Sequence, residues 1–227
     1  MIPIRDYSGY TGRDTKAKLK RDAERMLEKS LNGYASMECI IAPNGVDDKK
    51  FLTNVIFFQR VDSDGDVYKV IGRIGEIERG NYIYFNNEIY LITTKPEDNG
   101  TYRKALATLC PTTLPLKEND KDVVVGLDEF GRPIYETVKG EISIIPCVPK
   151  LNDASTSIAD SNESINLLDN QIRVTIPYRE SPSLDNDEKF SMYNETYRII
   201  RVDPSKSING IGILTITGER IGRGEYQ

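Results

Sequence analysis

The residues in this chain best equipped for chemistry are carboxylates, and the first cluster of them is Asp62-Ser63-Asp64-Gly65-Asp66. Asp62, Asp64 and Asp66 alternate, which brings several hard oxygen donors together as a calcium ion prefers. The EF-hand pattern requires Gly at the sixth position and Glu at the twelfth. Here Gly65 is fourth, the twelfth residue is Arg73, and the flanks are strand-like. A hairpin turn between Val61 and Val67 is therefore the expected role, with a weak cation loop as the alternative. Glu76, Glu78, Glu136 and Glu141 would support a carboxylate-based hydrolase only if two of them converged within ~10 Å. No spacing among them establishes such a pair, and solvated surface charge is the expectation.

What the chain lacks narrows the chemistry further. It has no histidine, which removes Ser-His-Asp and Cys-His nucleophiles and His-ligated zinc. Cys39, Cys110 and Cys147 are odd in number and far apart. That spacing argues against a disulfide framework or a CxxC site and for buried free thiols. No catalytic residue, no cofactor and no enzyme activity is expected. The 13 tyrosines include Tyr82, Tyr84, Tyr90, Tyr193 and Tyr197. Such rings stack on bases or sugars in some proteins, but more often they cover sheet faces.

The elements that would position these groups are mostly strands. Gly80 to Ile92 and Asp187 to Ile199 both read as strand–turn–strand, and Asn87, Glu88, Tyr90 and Ile92 recur as Asn194, Glu195, Tyr197 and Ile199, each 107 residues later. Each copy is followed by a Pro-containing polar loop and another apolar strand. A fixed offset reads as a duplicated module, with chance likeness between two Tyr- and Ile-rich hairpins as the alternative. Ahead of the first copy lies one helical segment, opened by Asp14 or Thr15 and stopped by Asn32-Gly33 in left-handed glycine fashion. Leu19, Ala23, Met26, Leu27 and Leu31 form a single apolar stripe on it. Arg21, Arg25 and several lysines occupy the other faces. The stripe either packs on the first β domain or reaches a neighbouring subunit, and a solvated face is expected for the basic residues.

At 227 residues with 38% apolar and 29% charged content, two small domains or one large β domain are both open, with modest cores and much solvated surface. The expected architecture is mainly β, with two small antiparallel barrels or sandwiches. Its expected divisions are an N-terminal arm and helix (1–34), a first β domain (35–110), a semi-ordered linker (111–139), a second β domain (140–220) and a tail (221–227). Within these, 149–166 reads as a long exposed loop. The net charge of -5 does not suit a protein whose main task is to coat nucleic acid. There is no long apolar run and no signal-like N-terminus, so neither a membrane span nor export is expected.

The first module also carries a likeness. Gly80 stands before an apolar strand, the turn Asn86-Asn87-Glu88 follows, then Tyr90-Leu91-Ile92-Thr93, Pro96-Glu97-Asp98-Asn99, Tyr102-Arg103-Lys104-Ala105-Leu106 and a closing Leu109-Cys110. With the charged helix ahead of it, this order resembles the head–tail connector or neck proteins of tailed bacteriophages from Gram-positive hosts. The resemblance implies a ring-forming adaptor, head-closure or collar component of the virion, made in the host cytoplasm. It further implies contacts with copies of itself and with portal or tail proteins, and DNA passing unread through a lumen. Leu19, Ala23, Arg21, Arg25, Met26 and Leu27 are then the candidate assembly residues. A tail-tip or baseplate module holding carbohydrate on tyrosine faces is the alternative, and a carboxylate-based hydrolase the remote third.

Overall fold

The computed structural model describes residues 15–59, 66–117, 121–127, 130–151 and 170–223. The chain divides into two compact units, 1–108 and 109–227. The first contains helix α1 (Thr15–Leu31) and strands β1 (Ser36–Ala42), β2 (Phe51–Gln59), β3 (Val67–Arg73), β4 (Tyr82–Phe85), β5 (Glu88–Ile92), β6 (Glu97–Asp98) and β7 (Tyr102–Leu109). Its strands run in the order β3-β2-β1-β4-β5-β7, and β3 also pairs with β7. A sheet whose first and last strands pair is a closed barrel, which removes the exposed edges that invite aggregation.

The second unit contains β8 (Thr112–Lys117), β9 (Lys121–Leu127), β10 (Pro133–Val138), β11 (Ile142–Leu151), β12 (Gln171–Pro177), β13 (Lys189–Met192), β14 (Glu195–Asp203), β15 (Ser207–Ile208) and β16 (Ile211–Arg223). Its main sheet runs β13-β14-β16-β12-β11-β8, with β15 on β16, and the end strands β13 and β8 approach each other. The two units share one plan. If β1, β2 and β3 are matched to β8, β11 and β12, and β4 to β7 are matched to β13 to β16, the ladders of the first unit recur in the second except β1–β4, whose counterparts β8 and β13 approach without pairing. The difference is an insertion: β9 and β10 pair only with each other, between β8 and β11. At the same point the first unit makes two 3-10 turns, Pro43–Gly45 and Asp47–Lys49.

The repeated hairpins agree residue by residue. In the first, Gly80 N–H donates to Ile92 O (2.9 Å) and Ile92 N–H to Asn81 O (3.0 Å); in the second, Asp187 N–H donates to Ile199 O and Ile199 N–H to Glu188 O, both at 2.8 Å. Each of these partners lies 107 residues from its counterpart. Both two-residue turns lie in the left-handed region, Asn86 and Asn87 at φ 49° and 62°, Tyr193 and Asn194 at φ 52° and 64°. That is the type I′ geometry whose twist matches the flanking strands, and Asn tolerates it best after Gly. Each barrel fills its interior from alternate strand positions. Ile41, Val55, Phe57, Val70, Ile83 and Tyr90 are buried in the first; Leu114, Leu116, Ile145, Cys147, Val174, Ile176, Tyr197, Ile199 and Ile216 in the second.

Several expectations about the chain's organisation change here. The stretch 111–139, expected as a semi-ordered linker, belongs to the second unit instead: β8 pairs with β11 in the main sheet, and β9 pairs with β10. Leu114 and Leu116 point inward at 1% and 3% exposure, and Pro115 between them is tolerated because β8 is an edge strand. The tail expected at 221–227 does not begin at 221, since β16 continues to Arg223, and 224–227 lie outside the described residues. The helix does stop at Asn32-Gly33, but by hydrogen bonds. Asn32 N–H and Nδ2 both donate to Glu28 O (3.0 and 2.9 Å), and Gly33 N–H donates to Ser30 O (3.1 Å). The arm 1–13 lies outside the described residues, as does the 149–166 loop from residue 152 onward, residues 149–151 closing β11.

Candidate assembly surfaces

Helix α1 is anchored on the first barrel through its C-terminal half. Leu31 is fully buried, Leu27 and Ala23 are half-buried, and Glu28 binds Arg73 of β3 in a fork (Oε1 to Nε 2.7 Å, Oε2 to Nη2 2.8 Å). Arg73 in turn donates through Nη1 to Thr53 Oγ1 at 3.1 Å, and Thr53 donates to Glu76 Oε2 at 2.9 Å. The Arg73 fork holds Glu28 below the usual carboxylate range. One edge of the apolar stripe is open: Leu19 is 65% and Met26 71% exposed, and Arg21 and Arg25 are also exposed. At about 100° per residue, positions 19 and 26 fall nearly in line, whereas 27 and 31 turn toward the barrel. The single stripe of the sequence is thus divided between an anchored line and a free one.

A second apolar surface crosses the outside of the first barrel. Leu52 pairs with Ile40, Ile40 with Tyr84 and Tyr84 with Ile89, so four side chains form one row over β2, β1, β4 and β5. They line a groove of about 520 Å³ whose charged members are Glu38 and Glu88. Leu52 is 62% and Ile40 40% exposed. Lys50 Nζ lies 4.2 Å over the Tyr84 ring and is matched by Asp47 at 3.0 Å.

The third surface is the β9–β10 ribbon. Tyr135 pairs with Val124 on one face and Glu136 with Val123 on the other, and the register shifts between Ile134 and Tyr135. Val123, Val124, Val125, Ile134, Tyr135 and Val138 are all exposed, so apolar groups cover both faces.

The tyrosines of the repeats divide: Tyr90 and Tyr197 face the barrel interiors, while Tyr82 packs beside Tyr84 on the outer face. Tyr82, Tyr90 and Tyr197 are buried, and Tyr193 is exposed. Phe57 stacks on Tyr68 (4.7 Å) and meets Tyr90 edge-on (5.0 Å), while Phe190 stacks on Tyr197 (5.5 Å). Each barrel also has a phenol donating to the glutamate two residues earlier: Tyr90 to Glu88, and Tyr197 to Glu195 Oε2 at 2.9 Å. Arg220 completes the second pair, donating to Glu195 Oε1 at 2.8 Å. Burial first, and then the neighbouring carboxylate, push the Tyr197 phenol up to about 12. Tyr90 moves the same way for the same reasons.

The remaining candidates scatter. Asp62 and Asp64 lie outside the described residues, while Asp66 is exposed just before β3. Among the described residues no cluster of three metal-ligating side chains occurs. Glu76 and Glu78 sit in the first unit, the latter paired with Arg103; Glu136 and Glu141 are exposed in the second. Cys39 and Cys147 are buried thiols, both pushed up to about 12 by burial, and Cys110 is half-buried; none of the three is in a disulfide. No helix among the described residues is long and apolar enough to cross a membrane. The outer row on the first barrel escaped sequence reasoning, because it exists only once strand register is known.

Comparison with known proteins follows the same two units. A YomX N-terminal domain model matches residues 15–108 and a YomX C-terminal domain model matches 111–219. Over 219 residues, 96% of this chain and 97% of the relative, the sequence is 30% identical to the SPbeta prophage-derived uncharacterized protein YomX of Bacillus subtilis (strain 168). The chain belongs to the YomX family. Its kinship is therefore with a phage-derived protein along nearly its whole length. Among solved structures, K. pneumonia MrkH aligns with this YomX-family chain at a TM-score of 0.22 and 9% identity, covering 90% of this chain and 85% of MrkH. The MrkH–c-di-GMP complex aligns at 0.19 and 9%, covering 90% and 86%. Scores of that size do not establish a shared fold.

Proposed function

We propose that this protein is a structural component of a tailed-phage virion that assembles with copies of itself into a ring at the head–tail junction, as an adaptor, head-closure or collar part. The observation that carries the reading is the distribution of exposed apolar surface. A two-stranded ribbon is marginal in water by itself, yet β9–β10 presents valines, Ile134 and Tyr135 on both faces. The free line of α1 and the row on the first barrel add to it. Monomeric soluble proteins rarely leave such patches open, and contacts between copies would cover them. The phage origin of a relative matched end to end supports a virion role. Portal or tail proteins are the neighbours this role supplies, and DNA would pass through the lumen without being read.

The alternative, a tail-tip or baseplate module for carbohydrate, needs open aromatic faces. Tyr82, Tyr90 and Tyr197 are buried, which leaves only the half-buried Tyr84 and the exposed Tyr193 among the repeat tyrosines, one in each unit, so the assembly reading has the better support. It is tested by proteomics of purified phage particles together with light scattering of the isolated protein. The protein is expected in particles at many copies each. Its absence from particles would contradict the proposal.

A further inference from the structure

We propose that the free line of α1 in one copy lies across the Leu52–Ile40–Tyr84–Ile89 row of a second copy. This rests on the ring reading above and names the surfaces that meet. Both surfaces are apolar, and both are open in the same chain, with Leu19 at 65% and Leu52 at 62% exposure. The described residues of the chain's own helix therefore leave the row uncovered, and the α1 of a second copy can supply the occupant.

Dimensions and charge choose a second α1. Leu19 and Met26 are seven residues apart, roughly 10 Å along a helix. The row spans three strand gaps, roughly 14 Å, so the two helical turns run along about three-quarters of it. The row is bordered by Glu38 and Glu88, while α1 carries Lys16, Lys18, Lys20, Arg21, Arg25 and Lys29 against Asp22, Glu24 and Glu28. A basic helix thus meets an acidic border, the arrangement that steers association and fixes orientation. Lys50, at the Tyr84 end, is already matched by Asp47. An amphipathic helix in an apolar groove is a recurring mode of recognition. Because donor and acceptor are different patches, the contact is heterologous. Repeated from copy to copy it closes into a ring when the rotation allows.

The test uses the full chain and two variants at exposed positions, Met26→Glu and Leu52→Glu, with circular dichroism confirming that both stay folded. Molar mass against concentration is read by light scattering. Wild type is expected to self-associate, and each variant to do so roughly 30-fold more weakly or worse. Mixing the two is expected to restore one intact contact, the Leu52→Glu copy giving its helix to the row of the Met26→Glu copy. The product is a heterodimer that neither variant forms alone. A wild type that associates while both variants associate equally well overturns this inference and leaves the ring reading standing. Loss in both variants with no complex on mixing also overturns it. A wild type that stays monomeric throughout overturns both.

Discussion

Two phenol–carboxylate pairs hold the repeated hairpins at the level of single side chains. In a strand, residues i and i+2 share a face, so Tyr197 reaches Glu195 and Tyr90 reaches Glu88 once the strands form. Replacing Tyr197 by Phe removes one hydrogen bond and keeps the ring packed, so denaturant unfolding is expected to show a loss of about 0.5–1.5 kcal/mol. The raised phenol also sets a pH dependence. A folded value near 12 against an ordinary value of about 10 means that the folded state keeps its proton longer. That stability is complete below about pH 10 and is lost as pH rises through 12. Thermal melts should fall across this window, less steeply in Tyr197→Phe, and ultraviolet titration should show phenols ionising late. At the second turn, Asn194 sits at φ 64°; Asn194→Val is expected to cost about 1–2 kcal/mol, because a β-branched side chain is strained there. The sequence displays the 107-residue offset and the turn residues openly. The Tyr–Glu bonds stay hidden until the backbone is known to be extended at that point.

Elements differ in how much of them the sequence reveals. Helix α1 is legible from its period, its end at Asn32-Gly33 and its charges, but its stripe does not say which part is anchored. That division comes from Leu31 entering the barrel and from the Glu28–Arg73 fork across 45 residues of sequence. Leu31→Ala is expected to cost about 2–5 kcal/mol in chemical denaturation, whereas Leu19→Ser should stay within about 0.5 kcal/mol. Glu28, held below its ordinary range, contributes stability above the usual carboxylate pKa and loses it on acidification. Amide protection factors in α1 should therefore fall below about pH 4. The 111–139 stretch misleads because Pro111, Pro115 and the charged run at 117–122 resemble a connector. Only the alternation of Leu114 and Leu116 marks a strand, and two positions give a weak period. The row over β2, β1, β4 and β5 is invisible in any one strand, since each contributes a single member.

At the scale of the molecule, two barrels of one plan are joined in series, each with its own buried core. The sequence supports two β modules because the repeat is spaced by about half the chain. The insertion of β9–β10 cannot be recognised until the shared order of the other strands is seen. The central claim is that the open apolar surfaces exist to be covered by further copies of the chain. The measurement that bears on it most directly is the molar mass of the purified full-length protein over a wide concentration range. A mass rising to a discrete multiple of 25.7 kDa, with annular particles in electron micrographs, is the predicted result. A constant 25.7 kDa at every concentration would contradict the account.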